Sequence, residues 1–378
     1  MDKRVFYLDN TATAPMLPEV KEKAIEFLDA NYFNPSAVYA PSVDIKREIE
    51  TSRKIILDAL GNIDGDLIFT GSATEANNMA IFSQRNKGKL LFGSGEHPSV
   101  KECARELIKR GYEVEFIPLD QTGHIDLIKF SQMLTSDVSF VSVQHVSNET
   151  GAINDIKKIV KLTRRSCPNA LIHVDGVQAF MKLEYSVADL DVDYYVVSGH
   201  KIGASKGIGA LYHKKKARVN ALVFGGGQEK GLRSGTENVF AIISFGLATS
   251  ICQKKIKESY QIVEQRKNQL LEQFKKVGFD YKINGGEPCV PHIMSIRLVE
   301  GIRGETLVHA LENRGVYVST GSACSANKNF NATLEAMNVD KDQILSSVRI
   351  SLDAESDFDA QIIAQRIKEE ASKLVGKK

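Results

Sequence analysis

The chain has 378 residues, 43% of them hydrophobic and 25% charged, an ordinary soluble composition with room for roughly two domains. A net charge of +2 gives no reason to expect a nucleic acid or an anionic membrane as partner. No apolar run approaches the roughly 20 residues of a membrane span, and the start MDKRVFYLDN lacks a signal-peptide core. The cysteines at 103, 167, 252, 289 and 324 are scattered and form no C-x-x-C, so neither a disulfide framework nor a metal cluster is expected, and a reducing, cytoplasmic setting is the default.

Residues 1–18, with Asn10, Pro15 and Pro18, read as an irregular lead-in. Helical spacing at Val20, Ala24, Phe27 and Leu28 predicts a helix over 19–30. Asn34-Pro35-Ser36 is a turn, and a second helix runs from about 42 to 60. A short strand at 66–70 ends in Gly71-Ser72-Ala73-Thr74-Glu75, where a helix opens. A small, hydroxyl-bearing turn at a helix start can cradle a phosphate on its free amides; on those residues alone a plain N-cap with Glu75 in the first turn is the simpler account. Strands at 89–93, 113–117, 138–143, 170–174, 194–197 and 208–212 alternate with amphipathic stretches near 98–110, 126–134 and 155–165. That alternation predicts an α/β fold, a mostly parallel sheet covered by helices. A helical region over 239–276, expected in two pieces, leads to a smaller α+β domain. Its strands fall near 292–298, 316–319 and 348–352 and its helices near 304–314 and 356–374. The expected division is a large domain over 14–258 and a small one over 259–378 joined by residues 1–13.

Two strand ends carry chemistry. The apolar run Tyr194–Val197 stops at Ser198-Gly199, with His200 and Lys201 beyond it, where open α/β sheets bind ligands. A desolvated lysine there is a candidate Schiff-base nucleophile, although on that stretch alone an ordinary surface lysine is the simpler account. The second strand end is the run from Ala170 to Asp175, followed by Gly176, Val177 and Gln178. A pyridoxal phosphate (PLP) site needs a lysine for the aldehyde and an acid on the pyridine nitrogen. Lys201 and Asp175 offer that pair.

HVDGVQ at 173–178, followed by SGHK at 198–201, resembles the fold-type-I PLP enzymes of aminotransferase class V, and within them the cysteine desulfurases. The likeness extends from Tyr7-Leu8-Asp9-Asn10-Thr11-Ala12-Thr13 to Val348-Arg349-Ile350-Ser351. It implies that Lys201 binds the cofactor covalently, that Asp175 keeps the ring nitrogen protonated, and that Gln178 meets the ring oxygen. Thr74, Ser198 and His200 match the family's phosphate ligands, with the amides at Ala73 and Thr74 helping. His97, in Glu96-His97-Pro98-Ser99-Val100, matches a histidine that stacks on the ring and moves protons. Asn148 and Arg349 match residues that hold the substrate carboxylate, and Asn34 falls in a segment at the mouth of the family's site. Thr236, in Arg233–Asn238, matches a threonine that reaches the phosphate of a neighbouring subunit, which implies a homodimer.

Cys324, in Gly321-Ser322-Ala323-Cys324-Ser325, matches the desulfurase thiol that takes sulfur from L-cysteine as a persulfide. The sulfur would pass to an acceptor protein, an iron–sulfur scaffold or a tRNA-thiolation enzyme. An aminotransferase, or a selenocysteine or C–S lyase, is the neighbouring alternative and would not depend on Cys324. Departures from the family pattern fall at Gly71-Ser72, at Tyr39 and Ser42, and at Asp353-Ala354-Glu355. The run Gly203–Gly209 fits a dinucleotide-binding G-x-x-x-G-x-G, but it leads into a strand rather than a helix, so a nicotinamide enzyme is not expected.

Overall fold

Among the described residues, twelve short runs, most of them rich in β-branched and aromatic residues, pair as strands. They are β1 Phe6–Tyr7, β2 Gly65–Thr70, β3 Lys89–Gly93, β4 Val114–Ile117, β5 Val138–Gln144 and β6 Leu171–Asp175. They continue as β7 Tyr194–Ser198, β8 Gly209–Lys214, β9 Tyr281–Asn284, β10 Ile293–Leu298, β11 Val316–Tyr317 and β12 Ser347–Ser351. This computed structural model describes residues 4–30, 32–61, 64–84, 88–298, 301–321 and 331–375; Cys324 lies outside them.

The large sheet has the order β2-β8-β7-β6-β5-β3-β4. Only β8 runs against its neighbours, β2 and β7; the other pairings are parallel. Because side chains alternate along a strand, both faces of this sheet must be covered. Tyr195 and Val197 of β7 enter one core with Ile45, Ile56, Phe180 and Phe245. Tyr194 and Val196 enter the other with Met79, Leu90 and Phe92. A third core, formed by Phe6, Leu8, Val263, Phe274, Ile296, Val348 and Ile367, belongs to the smaller unit. That unit is built on the three-stranded sheet β12-β10-β9 and the β1-β11 pair.

Three expectations change. Residues 6 and 7 are strand, not irregular: β1 pairs in parallel with β11, and Phe6 and Leu8 are buried in the smaller core. The strand β9 was not anticipated, its four residues being too few to show a period. The helix Val239–Lys276 is one unbroken element of 38 residues. Its Ala241–Ala248 turns lie in the large core, while Val263, Leu270 and Phe274 lie in the small one, so a boundary placed at 258 falls inside it. The same helix is long and apolar enough, by length and composition, to cross a bilayer; here its apolar first turns pack against the sheet layer instead.

Candidate active site

At the carboxyl ends of β5, β6 and β7 lies a cavity of ≈ 320 Å³, the position where open parallel sheets take ligands. Asp175 ends β6. Its carboxylate accepts from Asn77 Nδ2 at 2.9 Å and from the Val177 amide at 3.1 Å. The next residue has to be glycine, because a Cβ at Gly176 would overlap the Tyr195 ring. Beyond β7, a single 3₁₀ turn, Gly199–Lys201, carries His200 and Lys201 over the pocket. Lys201 Nζ donates to the carbonyls of Thr11 and Ala12, both at 2.6 Å. Those carbonyls come from the segment after β1, which Ser351 ties down: its Oγ accepts from the Thr11 amide at 2.9 Å and its N–H donates to Leu8 O at 2.7 Å.

The helix Ala73–Phe82 starts at the pocket wall. Ser72 caps it, its Oγ accepting from the Glu75 amide at 3.1 Å. The first amides of a helix have no carbonyl partner within it and carry the positive end of its dipole. Ala73 and Thr74 line the cavity at that point, with Ser198 and His200 opposite. Burial and the nearby Lys201 lower His200 to about 4, so its ring is neutral.

His97 lines the same cavity. Its Nδ1 accepts from the Ser99 amide at 3.2 Å and lies 2.8 Å from Ser99 Oγ, which in turn accepts from Asn77 at 2.9 Å. With Nδ1 committed as acceptor, the neutral ring carries its proton on Nε2. Burial lowers His97 below the usual imidazole range against the pull of Asp175, with Lys201 adding to the effect.

Arg349, at the centre of β12, is 5% exposed. Its guanidinium donates to Asp9 Oδ1 at 3.0 Å, to Asn148 O at 3.0 Å and to Glu149 Oε1 at 3.4 Å. Glu149 also accepts from Asn148 Nδ2 at 2.8 Å and from Asn331 Nδ2 at 2.6 Å. Burial raises the Glu149 carboxyl, although Arg349 and Asn331 pull it down.

The cavity thus gathers Ala73, Thr74, His97, Asn148, Asp175, Gln178, Ser198, His200, Lys201 and Arg349. It does not gather Asn34, whose Oδ1 accepts from the Ser36 amide at 2.9 Å in its own turn. Thr236 lines a separate recess with Thr70, Gly71 and Arg233. Cys324 is outside the described residues. Sequence reasoning missed Asp9, Thr11, Asn77, Glu149 and His173. His173 Nε2 donates to Asn77 Oδ1 at 3.0 Å and Ser142 Oγ lies 2.9 Å from its Nδ1; burial lowers it to about 4 and keeps it neutral. One signal was available: His173 precedes Asp175 by two on a strand and so shares its face.

The aminotransferase class-V family matches residues 6–360. The chain belongs to that family. Cysteine desulfurase IscS 1 of Archaeoglobus fulgidus is 36% identical over 325 residues, covering 85% of this chain and 84% of that protein. The NifS/IcsS protein homolog of Lactobacillus delbrueckii subsp. bulgaricus is 37% identical over 360 residues, 92% of each chain. Among solved structures, a NifS-like protein superimposes with a TM-score of 0.89 at 28% identity, over 98% of this chain and 99% of its own. The NifS-like protein of Rickettsia africae ESF-5 gives 0.88 at 29% identity, over 98% and 100%.

As a class-V enzyme of fold type I, the protein uses PLP. The residues present suit that cofactor. Thr11 Oγ1 and Arg349 Nε are buried at the cavity with no partner within the described chain. Such groups are costly unless a ligand or water meets them. The helix start at Ala73 offers amides to a phosphate, Asp175 offers an anion to a protonated ring nitrogen, and Lys201 an amine to an aldehyde.

Proposed function

We propose that the protein is a cysteine desulfurase: it converts L-cysteine to L-alanine and leaves the sulfur on Cys324 as a persulfide for transfer to an acceptor protein. The observation that carries this reading is the convergence of Lys201, Asp175, His97 and Arg349 on one cavity, together with the relatives' names.

Bound PLP supplies an electron-withdrawing ring that stabilises charge at the substrate's α-carbon. Lys201 would hold it covalently through Nζ, Asp175 would keep its ring nitrogen protonated, and the amides of Ala73 and Thr74, with Ser198 and His200, would take its phosphate. Gln178 would donate to its ring oxygen. Arg349 would fork onto the substrate carboxylate, its charge already steadied by Asp9 and Glu149, with Asn148 alongside. Lys201 would take the α-proton at Nζ. His97 keeps Nε2–H toward the pocket and serves as a donor. The Cys324 thiolate then forms a bond to the substrate sulfur as the bond from that sulfur to Cβ breaks. The electron pair stays on Cβ, which would take its proton from His97 Nε2–H; Lys201 would return the α-proton to the α-carbon, and alanine would leave.

A homodimer completes the reading. Leu222, Val223 and Phe224 lie exposed beside the loop that carries Thr236, Phe224 at 85%. An apolar stretch of that kind suits burial against a second copy, which would bring Thr236 toward the partner's phosphate. Asn34, which does not line the cavity of its own chain, would act at the substrate end only from such an assembly. The acceptor would be an iron–sulfur scaffold or a tRNA-thiolation enzyme.

Borohydride reduction of the purified protein should fix the cofactor on Lys201, and Lys201→Ala should lose both that adduct and alanine formation from L-cysteine. An adduct on another lysine, or alanine formed at the parent rate by Lys201→Ala, would contradict the assignment.

A further inference from the structure

Gln178 stands between two cavities. It lines the cofactor site, while Lys182, four residues further along the chain, lines a second cavity of ≈ 330 Å³; Lys201 lines both. Lys182 Nζ donates to Gln178 Oε1 at 3.2 Å, and Gln178 Nε2 donates to Thr11 O at 3.2 Å. An ammonium has donors only, so the amide carbonyl must face Lys182 and the amide NH₂ must face the other way. Thr11 O is also an acceptor for Lys201 Nζ, at 2.6 Å. Gln178 and Lys201 therefore share one acceptor, which sets the amide beside the nitrogen that joins the cofactor. PLP carries its ionisable ring oxygen next to the carbon that such a lysine takes.

Burial, with Lys201 and Arg349 as like charges, lowers Lys182 to about 7 against the pull of Asp353. The Cys252 thiol and the His292 ring also line the second cavity, with Lys255, Tyr260, Asp353 and Glu355, and burial favours the neutral form of Cys252 and of His292. On the acid side of its titration Lys182 is a cation held behind the amide, with no part in the chemistry assigned above.

We propose that Lys182 is a positioning residue for the cofactor: from the second cavity it orients the Gln178 amide so that an N–H, and not the carbonyl, faces the PLP ring oxygen. The inference rests on PLP being joined to Lys201, and is independent of which amino acid is the substrate. A donor at that oxygen favours the ionised form, and a carbonyl turned toward it favours the protonated form. The two differ in absorbance, visible against near-ultraviolet.

The test compares holoenzymes of the parent, Lys182→Met and Lys182→Arg at a pH on the acid side of the Lys182 titration. Lys182→Met should transfer absorbance from the visible to the near-ultraviolet band and weaken PLP binding roughly three- to tenfold, the net worth of one ordinary hydrogen bond. Lys182→Arg, still donor-only, should keep the parent spectrum. In a Gln178→Leu background, Lys182→Met should change neither quantity further. If the methionine variant does not fold, Lys182→Ala is measured instead, with a thermal unfolding transition as proof of fold. A parent spectrum and parent PLP affinity in the folded variant would overturn the proposal. So would an equal shift in the Gln178→Leu background, since Lys182 would then act without the amide. A parent protein with no cofactor band would instead remove the PLP reading on which the inference stands.

Discussion

Arg349 is held before any substrate arrives. Asp9 and Glu149 both contact its guanidinium, and an arginine so deeply buried would be costly without them. The cluster keeps the planar fork aimed at the cavity, which is what recognition of a carboxylate requires. Arg349→Lys keeps the charge and loses the fork, so KM for L-cysteine should rise by roughly tenfold or more, with a smaller change in kcat. Steady-state kinetics decide it; an unchanged KM would place the substrate carboxylate elsewhere. At this scale the sequence is uneven in what it discloses. Asp175 is legible because it ends an apolar strand beside a glycine, and Lys201 because it follows such a strand within three residues. Asn77 and Glu149 are not, since a lone polar residue in a helix or a turn has no pattern to mark it. What makes them important is the Asp175 carboxylate and the Arg349 guanidinium that the fold brings to them from far along the chain.

Among elements, the phosphate end depends on how closely β8 approaches the helix Ala73–Phe82. A Cβ on Gly209 would come within 2.5 Å of the Ser72 carbonyl carbon and 2.6 Å of the Ala73 nitrogen. Gly209→Ala should therefore push the cradle out of place and weaken PLP binding by roughly tenfold or more, the overpacking being relieved by backbone shifts. Equilibrium dialysis with PLP reads this directly, and an unchanged affinity would put the phosphate somewhere other than this helix start. The strands and helices of the large sheet are mostly readable from periodicity. The helix Val239–Lys276 misleads because it changes partner halfway, apolar in its first turns and then amphipathic. At Gly246 it packs closely on its neighbour: a Cβ there would lie 2.7 Å from Ser52 Cβ. The strands β1 and β11 escape detection as a pair because two residues show no period, and only their partner across 310 positions of chain, Phe6 opposite Val316, makes them strands.

For the whole molecule, two units share one long helix, and the first residues of the chain cross between them. Phe6 and Leu8 sit in the small core, while Asp9, Thr11 and Ala12 reach the cavity of the large one. If a second copy covers the exposed run at Leu222–Phe224, Phe224→Asp should yield monomers that bind PLP more weakly, while the parent remains a dimer at micromolar concentration. Analytical ultracentrifugation checks both species; a monomeric parent with full cofactor occupancy would contradict the composite site.

Sulfur transfer to Cys324 is the most direct test. The holoenzyme is mixed with L-cysteine for a single turnover, and the peptide containing residue 324 is weighed by mass spectrometry beside the alanine released. The account predicts that the peptide gains the mass of one sulfur atom for each alanine formed. It also predicts that Cys324→Ala keeps the cofactor spectrum and still binds cysteine, but forms neither alanine nor transferable sulfur. Alanine and sulfide released by Cys324→Ala at the parent rate would contradict it, and a lyase acting without a protein thiol would then describe the enzyme.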